Sequence, residues 1–180
     1  MTVKLNLGCG IIKLKGYINC DLSPEVNPDK VVDLEKPLPF KTNSVDEIIA
    51  HHVIEHVENV IPLLQEMYRV CKKGALIDIR VPHYANAAAW SDLTHRHAFA
   101  YTSLDYVEED PQGKYSVGRT QAHEYGKMRF KFKRKEIKFN KTFTLLGFHI
   151  PTNKWPNIYE AFLANIFPAN EIHFVLEVVK

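Results

Sequence analysis

Val3-Lys4-Leu5-Asn6-Leu7-Gly8-Cys9-Gly10 is a short apolar run that passes directly into two glycines separated by one residue. The run predicts a strand, and the glycines predict a turn that receives a ligand. Glycine has no Cβ to block a bound molecule and takes positive φ without strain, so Gly-x-Gly at a strand end lets backbone N–H groups come close to a ligand. A dinucleotide fingerprint would need a third glycine three positions after Gly10, and Lys13 stands there. The turn therefore reads as a ligand site without the nicotinamide signature.

Moving outward, residues 11–16 are too few for a crossover helix before the next strand-like run, Tyr17-Ile18-Asn19-Cys20, which ends in Asp21. A parallel crossover normally takes a dozen residues or more, so the first one is expected to be shortened to a turn. An acid at this strand tip suits the two hydroxyls of a ribose, and it equally suits an Asx turn with Ser23 and Pro24. Val31-Val32-Asp33-Leu34 predicts a third strand, after which Pro37 and Pro39 impose an extended connection. Glu47-Ile48-Ile49-Ala50-His51 predicts a fourth. Val57, Val60, Ile61, Leu64, Met67, Tyr68 and Cys71 recur at three- and four-residue steps, which predicts a helix with Pro62 in its first turn. Lys72-Lys73-Gly74 is expected to close that helix, and Ala75–Pro82 to form the fifth strand.

Leu5 to Gly10, Asp21, Asp33-Leu34 and the run His51 to His56, taken in order, resemble the motifs of class I S-adenosylmethionine-dependent methyltransferases, specifically the small type-11-like family. The likeness covers residues 3 to about 82. It implies an α/β, Rossmann-like class I methyltransferase fold: a mostly parallel seven-stranded sheet with an antiparallel last strand, here with a shortened first crossover. It implies one domain over 1–180, with 1–82 holding S-adenosyl-L-methionine and 83–180 supplying the acceptor-side loop, a lid and the C-terminal strands. The cofactor-binding residues carried over are Asn6, Gly8, Cys9, Gly10, Asp21, Leu22, Asp33, Leu34, His51 and His52. Asp33 would take the adenine amine and the Leu34 N–H a ring nitrogen. Relatives carry a polar or acidic residue where Asn6 stands, and an amide cannot offer a carboxylate to the cofactor's amino group.

His52-Val53-Ile54-Glu55-His56 also matches His-x-x-Glu-His, the inverted zinc-protease pattern. It directly follows a strand, and no third ligand stands at a diagnostic distance, so no metal is assigned. His83 to Phe99 is rich in groups that bind or move protons, and its Trp90, Asp92, Thr94, His95 and Phe99 resemble a loop of methyltransferases acting on sugars or surface glycans. His95, His83 and His97, in that order, are the candidate general bases; each has the alternative role of anchoring the loop. Oxygen is the favoured acceptor atom, because base-directed N-methyltransferases often carry Asn/Asp-Pro-Pro-aromatic where this chain reads His51-His52-Val53-Ile54. The expected partner is a small-molecule or glycan acceptor. Two other readings stand beside this one: a catalytically silent S-adenosylmethionine-binding module, and a zinc hydrolase using His52, Glu55 and His56.

Thr102 with Asp105 suggests a capped short helix, residues 108–126 a loop or lid, and Tyr159 to Phe167 an amphipathic stretch before a last strand over 171–179. Lys127 to Lys141 holds eight basic residues interleaved with Phe130, Phe132, Ile137 and Phe139. That run suits a polyanion or, as favoured here, a solvated strand face. A net charge of +2 on 180 residues argues against polyanion binding by the molecule as a whole. Three cysteines, without a CxxC spacing, point to reduced thiols. With no leader-like or membrane-spanning run in view, the expectation is a cytoplasmic protein of one domain.

Overall fold

The computed structural model describes residues 2–108 and 128–180. Its strands are β1 (Lys4–Leu7), β2 (Ile18–Asp21), β3 (Lys30–Val31), β4 (Val45–His51), β5 (Cys71–Pro82), β6 (Phe130–Lys138) and β7 (Glu171–Val178). They form one sheet in the order β3-β2-β1-β4-β5-β7-β6. β1 to β5 run parallel to one another, and β7 runs antiparallel between β5 and β6. This is the mixed, mostly parallel sheet that the sequence motifs imply.

Parallel strands covered on both faces usually read as continuous apolar runs. These strands alternate instead. Leu5 and Leu7, Ile48 and Ala50, Ile77, Ile79 and Val81, and Ile172, Phe174 and Leu176 all lie in one buried core. Helix α1 (Val60–Val70) contributes Leu63, Leu64, Met67 and Val70 to that core. The other face of the same strands carries Lys4, Glu47, His51, Asp78, Arg80, His173 and Glu177, most of them half-exposed. The shortened crossover explains this asymmetry on the β1 side. Between β1 and β2 the chain makes only a tight turn, in which the Ile12 N–H donates to the Cys9 carbonyl at 2.9 Å. The Asn6 and Asn19 side chains then meet beneath the turn at 3.0 Å.

The segment between β3 and β4 is pinned from α1. Arg69 is held by Glu66 at 2.7 Å, and its guanidinium donates to the carbonyls of Leu38 and Phe40 at 2.9 and 3.1 Å. α1 ends at Val70, earlier than expected, and β5 begins at Cys71. Gly74 does not close the helix. It sits at φ +77° inside β5, where the pairing with β4 shifts register between Val45 and Glu47.

The Thr102–Asp105 cap does not form either: a 3₁₀ turn covers Asp105–Val107, and the Asp105 carboxylate pairs with Lys135. Beyond Glu108, the expected lid lies outside the described residues. From Lys141 the chain forms short helical pieces, Lys141–Leu145, His149–Lys154 and Pro156–Ile158, followed by a π turn over Tyr159–Leu163. Phe139, Tyr159 and Ala164 make a second small core against Tyr84 and Tyr101, while Leu145, Ile150, Phe162 and Ile166 face outward. Among the described residues no helix is long and apolar enough to cross a membrane.

Candidate cofactor and acceptor site

Ligands of open α/β sheets lie beyond the carboxyl ends of the strands. Here those ends are Gly8 to Gly10 after β1, Asp21-Leu22 after β2, Asp33-Leu34 after β3 and His52 after β4. A cavity of about 300 Å³ opens among them, and Gly8, Asp21, Leu22, Asp33, Leu34 and His52 line it. Val32, Glu35, Val53, His56 and Val57 complete its lining without having been expected to touch the cofactor. For Val53 and His56 the signal was present, since they follow the fourth strand directly in the run that resembles the family's motif.

Gly8 is held at φ +64°, and a Cβ built on it would fall 2.3 Å from Val53 Cγ2. No other residue fits this turn. Gly10 lies at φ +47°, and its N–H donates to Asp21 Oδ2 at 2.8 Å. Asp21 Oδ1 accepts from the Ser23 N–H at 3.0 Å. One carboxylate thus makes the Asx turn and also clamps the glycine loop, and its further lone pairs remain available to a ligand hydroxyl. Asp33 accepts from the Glu35 N–H at 3.0 Å and pairs with Lys36 at 3.0 Å; these contacts, the Glu35 amide first, hold its carboxyl below the usual range.

Asn6, Cys9, Gly10 and His51 do not line the cavity. The Asn6 amide donates to the Ile12 carbonyl and to Asn19, both at 3.0 Å. The Cys9 N–H donates to the Cys20 carbonyl at 2.9 Å, and Lys13 Nζ lies 3.0 Å from Cys9 Sγ and 2.6 Å from the Gly10 carbonyl. His51 faces the polar side of the sheet, 2.7 Å from Asp78.

His52 sits at φ +52°, with Nε2 3.2 Å from Glu171 and Nδ1 3.6 Å from Glu55. Those two carboxylates, Glu171 foremost, raise its pKa to about 9, so the ring is a cation at neutral pH.

The three histidines proposed as bases are far from equivalent. His83 is fully buried; its Nδ1 accepts from the Ala85 N–H at 3.1 Å, which leaves Nε2 to donate to Glu160 at 3.1 Å. Its ring ties β5 to the C-terminal helical segment. His97 Nε2 meets the Glu58 carbonyl at 3.1 Å and borders a separate cavity of about 750 Å³ between the start of α1 and residues 97–107. That larger cavity contains none of the expected cofactor residues, so the strand-end cavity is the better candidate. His95 alone approaches it, stacked edge-on against His56 with ring centroids 4.6 Å apart.

The basic run of β6 is largely paired. Lys133 meets Glu177 at 3.3 Å, Lys138 meets Glu136 at 2.6 Å, and Lys135 meets Asp105.

A comparison with protein families matches residues 5–78 to the family described as a methyltransferase domain. The match covers 74 of the 180 residues, so it is a likeness of the first half of the chain. The matched residues take in β1, the glycine turn, Asp21, Asp33, the residues around the cavity and most of β5. No curated protein matches the chain. Among solved structures, the chain resembles one from a complex between the Haloferax volcanii Trm112 methyltransferase activator and a methyltransferase. That likeness has 15% identity, covers 99% of this chain and 83% of the other, and gives a TM-score of 0.61. It also resembles an S-adenosylmethionine-dependent methyltransferase from Archaeoglobus fulgidus, at 16% identity over 98% and 86% of the two chains, TM-score 0.59. The [4+2]-cyclase SpnF matches at 13% identity over 99% and 76%, TM-score 0.58. These likenesses establish the class I methyltransferase fold. The family that residues 5–78 match is one of methyltransferases, which implies S-adenosylmethionine as the cofactor and methyl transfer as the reaction class.

The residues present fit that cofactor. Gly8 keeps the turn close against Val53, where no Cβ has room, Asp21 and Asp33 offer carboxylates to a ribose and an amine, and Leu22, Leu34, Val53 and Val57 give an apolar surface for a base.

Proposed function

We propose that the chain methylates an oxygen atom of a small-molecule or sugar acceptor at the His56–His95 edge of the cofactor cavity. The observation that carries this reading is the position of His56. It lines the cavity and contacts His95, so an acceptor hydroxyl entering there meets two imidazoles. S-adenosylmethionine supplies a sulfonium methyl group that leaves by in-line displacement, so the protein's part is to align the acceptor and assist loss of its proton. Asp21 and Asp33 would hold the ribose and adenine ends. Lys13 puts a cation beside the glycine turn, where the shortened crossover provides no helix N-terminus for a carboxylate. His95 is the group favoured for the acceptor proton, with His83 and His97 serving as anchors of the loop.

A second reading keeps the cofactor cleft without methyl transfer; the fold is shared with a protein of another activity, the [4+2]-cyclase SpnF. The test is a binding and turnover pair. S-adenosylhomocysteine is expected to raise the melting temperature while nicotinamide dinucleotides do not, and labelled methyl groups are expected to reach a hydroxylated acceptor in a panel of sugars and phenols. Binding with no transfer to any acceptor would favour the silent module; absence of binding would overturn both.

A further inference from the structure

We propose that Glu55, His56 and His95 form a site for one first-row divalent metal ion of the zinc type, at the edge of the cofactor cavity. Ligand atoms of these three residues lie within 4.8 Å of one another. A tetrahedral ion with bonds of about 2.1 Å sets its ligand atoms roughly 3.4 Å apart, so small side-chain movements close the set.

Glu55 carries the argument. Its side chain is 1% exposed, and neither carboxylate oxygen has a hydrogen-bond partner. A buried carboxylate that accepts no hydrogen bond is poorly compensated, and a poorly compensated buried ion costs several kcal/mol. The nearest cation, His52, stands 3.6 Å from Oε1, too far for a hydrogen bond, and points its other nitrogen at Glu171. A bound dication would supply the close partner that the oxygens lack.

The imidazoles are prepared as ligands. The His95 Nδ1–H donates to the Ala89 carbonyl at 3.2 Å, and the His56 Nδ1–H donates to Thr94 Oγ1 at 2.8 Å. The Thr94 hydroxyl in turn donates to Asp92 Oδ1 at 2.6 Å. Both outer nitrogens are therefore protonated and fixed, which leaves each Nε2 with a lone pair, the arrangement that metal-bound histidines adopt with their outer partners. Two imidazoles and a carboxylate select zinc, manganese, iron or cobalt over magnesium or calcium. The set differs from the His52-Glu55-His56 reading of the sequence. Glu55 becomes a ligand, His52 drops out, and the third ligand arrives from the loop after β5.

The ion's role toward substrate rests on the methyl-transfer reading: an alcohol oxygen bound to it ionises more readily, and His95 is then a ligand, with the proton lost to solvent. The site itself does not rest on that reading.

The test uses the full chain stripped with a chelator and titrated with cobalt(II), whose visible absorption reports imidazole coordination. One equivalent is expected to bind, zinc to displace it, and magnesium at the same concentration to leave the spectrum unchanged. His95→Ala and Glu55→Gln are expected to lose the cobalt bands while still melting cooperatively. Thr94→Val, which keeps all three ligands, is expected to weaken cobalt binding roughly 10–100-fold. No saturable cobalt binding to the parent chain, or binding undiminished in both ligand variants, overturns the site. Cobalt binding without an S-adenosylhomocysteine shift would leave the site standing and remove the methyl-transfer reading, and the reverse result would do the opposite.

Discussion

At Gly8 one methyl group separates a working turn from a blocked one. Gly8→Ala places a carbon 2.3 Å from Val53 Cγ2 and forces an L side chain to φ +64°. The expected loss is roughly 1–3 kcal/mol of stability from the backbone alone, together with loss of the S-adenosylhomocysteine shift. Thermal melts with and without ligand check this. Gly8→Ala combined with Val53→Ala should recover little of the stability, because the Val53 Cβ, which alanine keeps, also lies 2.5 Å from the added carbon. Gly8, Gly10, Asp21 and Asp33 were legible in the sequence because each stands at a strand end with a characteristic neighbour. The internal use of the Asn6 amide was not, since its partner Ile12 belongs to a turn with no regular pattern. Nor was the pairing of His56 with His95, which depends on how the loop after β5 folds back: the Arg96 N–H donates to the Glu55 carbonyl at 2.8 Å.

Three neighbouring strands share one carboxylate. Asp78 Oδ1 on β5 lies 2.7 Å from His51 on β4 and 2.9 Å from His173 on β7. Burial pushes this carboxyl up, but the two histidine contacts outweigh it and hold the group well below the usual range. A lowered native pKa contributes stability that is full above the unfolded value of about 3.9 and is lost as pH falls toward the native one. Asp78→Asn is therefore expected to cost about 1–3 kcal/mol near neutral pH, and the gap to the parent should narrow below about pH 4. Urea titrations at a series of pH values measure it. The alternation that sets this cluster on the polar face, as in Leu76-Ile77-Asp78-Ile79-Arg80-Val81, is visible in the sequence. So is α1, from its three- and four-residue stripe. The pieces between Lys141 and Leu163 were not resolved, because Gly147, Pro151 and Pro156 interrupt what would otherwise be one amphipathic period.

For the molecule as a whole, ligand binding and folding are linked. Saturation with S-adenosylhomocysteine at 100 times its dissociation constant adds about 2.7 kcal/mol. For a domain of this size that corresponds to a rise of roughly 5–11 °C in melting temperature. The mostly parallel seven-stranded sheet with its antiparallel last strand was legible because the motifs occur in order over residues 3 to about 82 and resemble a known family. The one-sided cover of the sheet was not drawn from the same data, although residues 11–16 already left no room for the first helix.

The two outer strands carry a last consequence, for how copies of this protein meet one another. A sheet whose end strands expose unpaired amides invites a neighbour to add a strand, the first step toward aggregates. β3 offers only two residues to such a neighbour, and the outer edge of β6 is already occupied at two places: Glu108 bridges to Phe130, and the Asn153 side chain meets the Ile137 N–H and carbonyl at 2.7 and 2.9 Å. A second chain would have to displace both contacts before it could pair along that strand.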